Sequence, residues 1–431
     1  MTKLRNITVC LVFVVVLSTS TVLLAGEALT LTNCFKAALK RSEVLATQKE
    51  LVLQAEEDYN RAWGAILPAV NASYSYVRQD TQGSTTSGNT QSSVGQQTAK
   101  ITANQPLFRG FSDFAAVDAA KASITAQEEA RQWAGMQLYK DVAQAFYARL
   151  AAQKDLVVLD NELDLYQQRI KELQNRLVIG RSRPSEVLTV RAAWAILKAQ
   201  REQVTGQMNV AKEVLAFLTG LDQEVELADT EEIPADMGSL ESYQATIGDR
   251  PDVIAARKNL ESFESQITVA KGARLPSVDL VGNYYADRPD LDKNGAWDVG
   301  LAVVLPIFSG GITLSKVKTA ESQKRQGEMQ LSLVQRMALD EVRSLYHNLK
   351  SDMAQLAALK EAADVSAKNY EANAKDYELN LVSNLDVLQA LTAHQDTVRS
   401  MQKIRYLAKI DYNKLEAAAA HRLPLTKEEK P

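Results

Sequence analysis

Chain breakers are scarce, with only 10 prolines and 19 glycines among 431 residues. A fold of many short elements joined by tight turns is therefore disfavoured, and long uninterrupted elements are expected. Cysteine occurs twice, at Cys10 and Cys34. Cys10 lies in an N-terminal apolar run, so a mature chain without that run has no intrachain disulfide. Cys34 sits among Leu29, Leu31, Phe35 and Leu39, the setting of a buried structural thiol. Neither cysteine follows the small-residue pattern of a lipid-modified one, so no acyl anchor is expected. The three histidines, His347, His394 and His421, have no metal-ligand spacing. Nucleophile elbow, phosphate loop and HExxH are all missing, which argues against an enzyme and against any cofactor or metal. A net charge of −4 with 24% charged residues leaves no basic surface for nucleic acid.

Long apolar runs are also missing, with one exception. Lys3 and Arg5 precede an apolar stretch from Ile7 to Leu24, followed by the small residues Ala25, Gly26 and Ala28. This is the pattern of a secretory leader, assigned to residues 1–26, with cleavage between Ala25 and Ala28. No later stretch approaches the ~20 apolar residues of a spanning helix.

What the chain does have is a duplication. QPLFRGF at 105–111 returns as LPIFSGG at 305–311, and Pro106, Phe108 and Gly110 match Pro306, Phe308 and Gly310. At the same spacing Val142 matches Val342, Phe146 matches Tyr346, and Glu186-Val187-Leu188 matches Asp386-Val387-Leu388. Upstream the spacing lengthens by eight residues and pairs Leu67-Pro68 with Leu275-Pro276. The chain therefore reads as a first repeat over 27–218, an acidic linker over 219–249, a second repeat over 250–420 and a charged, disordered tail over 421–431. The linker acids lack ligand spacing and a loop glycine, so they do not read as a calcium loop.

Each repeat has one order of elements. A helical pattern (about 29–66, then 251–274) runs into Leu-Pro. Two alternating stretches follow, at about 69–78 and 97–107, then 277–286 and 296–306. Val70, Ala72, Tyr74 and Tyr76 oppose Asn71, Ser73 and Ser75; Trp297, Val299, Leu301 and Val303 oppose Asp298, Gly300 and Ala302. Period two over ~10 residues marks a strand with one apolar and one polar face. The polar connections at 79–97 and 287–295 read as hairpin loops. Long helical hairpins then occupy 112–218 and 312–419, each arm reaching ~100 Å if unbroken, which calls for coiled-coil packing.

Four such strands cannot close a barrel alone, because small closed barrels begin at about eight strands. Several copies could share one, with eight strands from a dimer or twelve from a trimer, and the strand length suits a bilayer. Tyr74, Tyr76, Tyr284, Tyr285 and Trp297 would then be the aromatics at the membrane interfaces. Composition alone leaves open a soluble sheet packed on helices. At the far ends of the hairpins, Gly180 and Asn380 suit a left-handed helix stop, Pro184 a first helical position and Ser383 a cap. Glu186 and Asp386 fall in first turns, where the helix dipole favours a carboxylate.

The duplicated plan, the twin closures QPLFRGF and LPIFSGG, and RPDV at 250–253 resemble the TolC-type outer membrane efflux protein family over nearly the whole mature chain. The resemblance implies an α+β membrane protein. Duplicated long coiled-coil helices would form an α-barrel, and four β-strands per chain would contribute to a shared, trimeric, twelve-stranded transmembrane β-barrel. It implies a homotrimer in the outer membrane lipid, extending into the periplasm, as the passive outer conduit of an efflux or type I secretion system. The partners implied are a periplasmic adaptor (membrane fusion) protein and an inner-membrane RND- or ABC-type transporter. Carried over by position, Glu186 and Asp386 would narrow the periplasmic mouth. The turns carrying Gly180, Arg181, Ser182 and Arg183, and Asn380, Val382 and Ser383, would dock the adaptor. The chain departs from the family at Asn380, where glycine is usual, at Val382, where some members carry a gating arginine, and at Gln389, where some carry a second acid. A periplasmic adaptor or a structural coiled coil is the alternative; the first has a single hairpin, and the second needs no alternating strands.

Overall fold

The computed structural model describes residues 28–85, 88–287 and 296–419. The expected leader and tail, and most of the second hairpin loop, lie outside those residues. The elements run in the order α1 (Leu31–Arg41), α2 (Glu43–Gly64), β1 (Ala69–Thr85), β2 (Gly88–Arg109), α3 (Ser112–Val178), α4 (Pro184–Thr219), α5 (Leu240–Ala245), α6 (Pro251–Gly272), β3 (Ser277–Asp287), β4 (Trp297–Val304), α7 (Ile312–Glu378) and α8 (Asn384–Ala418). Helices α3 and α7 each contain 67 residues, about 100 Å of helix.

Two expectations are corrected. The first helical pattern is not continuous, because Ser42 leaves helical geometry at ψ 110° and its hydroxyl accepts the amide of Leu45, ending α1 and capping α2. Nor is 79–97 a loop. The ladder between β1 and β2 continues unbroken from Ala69↔Asn104 to Thr85↔Gly88. A stretch of Gln, Ser, Thr and Gly has no apolar alternation to betray a strand, yet once the flanking residues fix the register its backbone goes on pairing.

The four strands form one antiparallel sheet in the order β1-β2-β3-β4. Its register confirms the alternation read from the sequence. Ala72, Ile101, Tyr284 and Trp297 form one row across all four strands, and Val70, Ala103, Gly282 and Val299 the next. These rows share the apolar face. On the other face Asn71, Thr102, Asn283 and Asp298 form a polar row. There Thr102 Oγ1 lies 2.8 Å from Asn283 Oδ1, and Asn283 Nδ2 donates to Asp298 Oδ1 at 2.8 Å. The two hairpins are in equivalent register, since Ala69↔Asn104 in the first becomes Ser277↔Val304 in the second.

The closures QPLFRGF and LPIFSGG differ in one informative way. The first stays in β2 and pairs with β3 as far as Arg109, with a bulge at Pro106, where proline is tolerated in a sheet. The second leaves the sheet at Val304, short of the expected 306, where β4 has no neighbour on its outer side among the described residues. Ile307 and Phe308 consequently stand 94% and 89% exposed.

Below the sheet the helices pack around three apolar clusters. Cys34 and Phe35 of α1 join Val142, Phe146 and Leu150 of α3 in the first. Cys34 is fully buried, and burial pushes its thiol up to about 11, so it is inert. Val253 of α6, Val342 and Leu349 of α7 and Leu415 of α8 form the second cluster, and the third lies towards the helical turns.

The first and second clusters are joined by a buried ion network built on the RPDV segment. Arg250 grips Asp252 with two hydrogen bonds of 3.0 and 2.8 Å, and its Nη1 donates to Glu341 at 2.9 Å and to the Ala418 carbonyl at 3.1 Å. Lys140 meets the other oxygen of Glu341 at 2.7 Å. Both cations lie over the Trp133 ring, at 4.6 and 4.8 Å. Burial alone would raise the Glu341 carboxyl, but Lys140 and Arg250 hold it below its ordinary range. One guanidinium therefore ties α6, α7, α8 and α3 together. Removing one side of such a buried network costs about 3–5 kcal/mol, since the remaining charge keeps its desolvation penalty. Arg250→Ala is expected to lower the melting temperature of the detergent-extracted protein, followed by the helical circular dichroism signal. An unchanged transition would show that the network contributes nothing.

Candidate functional site at the helical turns

The two turns are built alike. Helix α3 ends with Gly180 at φ 72°, and the Arg181 amide returns to the Arg176 carbonyl at 2.8 Å. Helix α7 ends with Asn380 at φ 58°, and the Leu381 amide returns to the Asp376 carbonyl at 2.9 Å. This is the closing bond of a Schellman stop, which asks for glycine or, next best, asparagine at the left-handed position. Helix α8 then opens with a full capping box, and α4 with its acidic half alone, since the Arg183 side chain at the cap has no acceptor. Glu186 accepts from Ser182 Oγ at 2.6 Å and from the Arg183 amide at 3.3 Å. Asp386 accepts from Ser383 Oγ at 2.6 Å and from the Ser383 amide at 2.8 Å. Those bonds, from the Ser383 hydroxyl first and its amide second, hold the Asp386 carboxyl below its ordinary range. Both acids named from the sequence thus close their own turns.

The structure adds a latch that the sequence did not reveal. Arg169 of α3 donates to Asn384 Oδ1, at the start of α8, at 2.9 Å. The Arg169 guanidinium also stacks 3.9 Å above the ring of Tyr377, at the end of α7, and Arg176 lies 4.3 Å from the same ring. Glu172 pairs with both arginines, at 2.6 and 3.0 Å. Tyr166 and Thr392 meet through their hydroxyls at 2.9 Å. Beneath these contacts Leu173, Val187, Val387 and Leu391 are buried together. The α3–α4 hairpin is thereby held to the α7–α8 hairpin close to the turns. The seven-residue spacing of Arg169 and Arg176 places them on one helix stripe, the one hint available beforehand.

Around the turns Arg181, Arg183, Ser383 and Asn380 are exposed, Ser182 and Val382 are half-buried, and Val178, Ile179, Leu379 and Leu381 present large apolar side chains to solvent. At the other end of the molecule the apolar face of the sheet exposes Tyr74, Tyr76, Tyr284 and Trp297. The register separates Tyr285 from this group, since it pairs with Lys100 on the polar face. Adjacent residues of a strand point to opposite faces, so Tyr284 and Tyr285 cannot serve the same surface. Among the described residues, no helix is long and apolar enough to cross a membrane, and no group of His, Cys, Asp and Glu is placed to hold a metal ion.

A long double hairpin below a small amphipathic sheet is also the fold of known channels. The solved outer membrane protein VceC of Vibrio cholerae superposes with a TM-score of 0.78 at 20% identity, covering 90% of this chain and 95% of that one. Outer membrane efflux protein BepC of Brucella suis is 24% identical over 397 residues, 88% of this chain and 83% of its own. Proteases secretion protein PrtF of Dickeya chrysanthemi is 20% identical over 406 residues, 89% of this chain and 86% of its own. The profile of the outer membrane efflux protein family matches residues 35–221 and again 242–421. Its two matches take in both hairpins and both turns, and the chain belongs to the outer membrane efflux protein family.

Proposed function

We propose that three copies of this chain form an outer-membrane conduit, passive in itself, through which an efflux or type I secretion system empties its cargo to the exterior. The observation that carries the reading is the sheet. Its apolar face is bare, its β1 and β4 edges are unpaired, and lipid tolerates strands only in a closed barrel. Three sheets of four strands would make a twelve-stranded barrel with the apolar face towards lipid and the Thr102–Asn283–Asp298 row towards the lumen. Tyr74, Tyr76, Tyr284 and Trp297 are proposed to lie at the membrane interfaces, and Tyr285 to face the lumen.

The helices would carry the duct through the periplasm to a mouth at the turns. A periplasmic adaptor would dock there, on Gly180, Arg181, Ser182 and Arg183 and on Asn380, Val382 and Ser383. The exposed Val178, Ile179 and Leu379 would supply its apolar anchors. An inner-membrane RND- or ABC-type transporter would supply the energy. Threefold symmetry would gather Glu186 and Asp386 into acidic rings that favour cations, and the Arg169–Tyr377 latch would hold the mouth narrow.

Bilayer recordings on the purified protein test the duct and its mouth together. The wild type is expected to give small, cation-selective steps. Tyr377→Ala, which removes the ring under both guanidinium groups, should raise the conductance several-fold, whereas Tyr377→Phe keeps the ring and should not. A silent bilayer with every variant would remove the conduit reading. Asp386→Asn leaves an amide oxygen to accept the Ser383 bonds, so the turn survives while the charge is lost. Its cation-to-anion permeability ratio should fall, and an unchanged ratio would dismiss the acidic ring. For docking, Leu379→Asp should abolish transport in cells at a normal protein level; full transport would argue against a role for the turns.

A further inference from the structure

The two hairpins of the chain meet along a seam between α3 and α8, and one stripe of α3 supplies its charges. Asp155, Glu162, Arg169 and Arg176 recur every seven residues, which sets them on one face of the helix. Three of the four are matched on the other hairpin. Arg169 and Arg176 serve the latch at Tyr377, and Asp155 takes the Arg399 guanidinium of α8 with two bonds, of 2.7 and 3.1 Å. Glu162 is the exception. It is 5% exposed, on the stretch where Leu159, Tyr166, Leu197 and Leu391 are buried together. Among the described residues its carboxyl group has neither a hydrogen bond nor an ion pair.

Few charged groups surround it. Among the described residues Arg399 is the one cation acting on it, and Arg399 is already engaged by Asp155 and by Gln200 at 3.2 Å. Asp396 of α8 and Asp155 add two further acids. Tyr166, a turn along α3, is held by Thr392. On α4, the third helix packed here, Arg201 is 2.6 Å from Asp160 and Lys198 lies over the Trp194 ring. A cavity of 720 Å³ lined by Asp155, Gln200, Asp396, Arg399 and Lys403 opens beside the cluster, so water has a way to the seam.

Coiled-coil packing does not ask for this acid. At the equivalent positions of the other repeat the sequence has Ala362 for Glu162, Gln355 for Asp155, Ile196 for Asp396 and Ala199 for Arg399. A buried carboxylate without a partner is costly, and it escapes the cost by taking up a proton. Burial pushes the Glu162 carboxyl up to about 7; Arg399 opposes the shift, and Asp396 and Asp155 add to it.

We propose that Glu162 makes the seam between the hairpins a proton-dependent joint: protonated, it lets α3 and α8 pack, and ionised, it draws water in from the cavity and loosens them. The joint is a property of the single chain. Glu162 stands one heptad, about 10 Å, from the latch residue Arg169, and the effect on the duct rests on the conduit proposed above. The packed seam holds the proton up to about pH 7, whereas a water-filled seam leaves the carboxyl near its ordinary 4.5. The packed state therefore binds more protons between those values. Opening is favoured as pH rises through that window, by up to about tenfold per pH unit, and does not respond through this group outside it.

Hydrogen exchange in detergent, read peptide by peptide and corrected for the intrinsic pH dependence of exchange, tests the joint without reference to transport. In the wild type, protection of the α3 and α8 peptides that carry Glu162 and Arg399 should fall by about tenfold or more between about pH 5 and about pH 8. Glu162→Gln, which keeps the shape and cannot ionise, should stay protected at both. Asp396→Asn, an exposed change that removes a neighbouring negative charge, should move the midpoint to lower pH, a shift that a merely structural role would not produce. Histidine ordinarily titrates in the same range. His394 lies on α8, 3.0 Å from the Ser366 hydroxyl, so His394→Gln is the control and should keep the wild-type profile. A wild-type seam equally protected at both pH values, a dependence that survives Glu162→Gln, or one that disappears with His394→Gln overturns the proposal. Bilayer recordings over the same range separate it from the conduit. Conductance that rises with pH in the wild type and in Asp386→Asn, and stays flat in Glu162→Gln, puts the joint in the duct. An exchange response with a silent bilayer leaves the joint standing and removes the conduit.

Discussion

A row of unpaired backbone amides and carbonyls along a sheet edge is tolerable in water and excluded from lipid, where each unsatisfied group costs several kcal/mol. Among the described residues this chain has two such edges, on β1 and β4, and an apolar face that no helix covers. Most of the architecture can be understood as a consequence. The sheet must be closed by other copies, the copies must be held in fixed rotation, and the helices continue each strand pair downward so that closure above dictates closure below. Where the sheet has its neighbour, as at β2, the strand runs through Pro106 to Arg109; where it has none, as at β4, pairing stops at Val304.

The duplication makes the six seams of a trimer similar but not identical, and the difference is chemical. Within the chain the seam is fastened by Arg250, Glu341 and Lys140 over Trp133. At the equivalent positions between copies the sequence has Ser42 for Arg250, Asp141 for Glu341, Asp340 for Lys140 and Leu333 for Trp133. Two cations and an acid are thus replaced by two acids and no cation. Burial already raises the Asp141 carboxyl in the single chain, ahead of the opposing pull of Lys140 and Lys414. The seam within a chain is therefore ionic and specific, while the positions that would form its counterpart between chains carry no such network.

Much of this was legible in the sequence, for identifiable reasons. Long helices and strand faces announce themselves through periodicity, and the repeat through proline, phenylalanine and glycine at fixed spacing. The turns were legible because left-handed positions and caps admit few residue types. What escaped was whatever periodicity does not encode. The Ser42 break interrupts no apolar pattern. The β1–β2 ribbon beyond Val77 is polar but for Val94, so it shows no apolar alternation. Tyr284 and Tyr285 look interchangeable until register assigns them to opposite faces. The latch joins Arg169 to Tyr377 and Asn384 across more than 200 residues, and nothing local to any of the three points to the others.

The acids at the turns illustrate how a structural role and the role proposed at the mouth can rest on one side chain. Glu186 and Asp386 each accept from amide and hydroxyl donors of their own turn, which is sufficient reason for a carboxylate in a first helical turn. Nothing about that role requires the charge, because an amide oxygen accepts the same bonds. A ring at a narrow mouth requires the charge and is indifferent to the cap. The proposed ring is compatible with the cap, because the capping bonds hold the Asp386 carboxyl below its ordinary range and fix its direction, as a threefold ring acting on an ion at its centre would need. In the proposed conduit turn geometry and pore electrostatics would thus be coupled, because whatever displaces the turn displaces the charge with it.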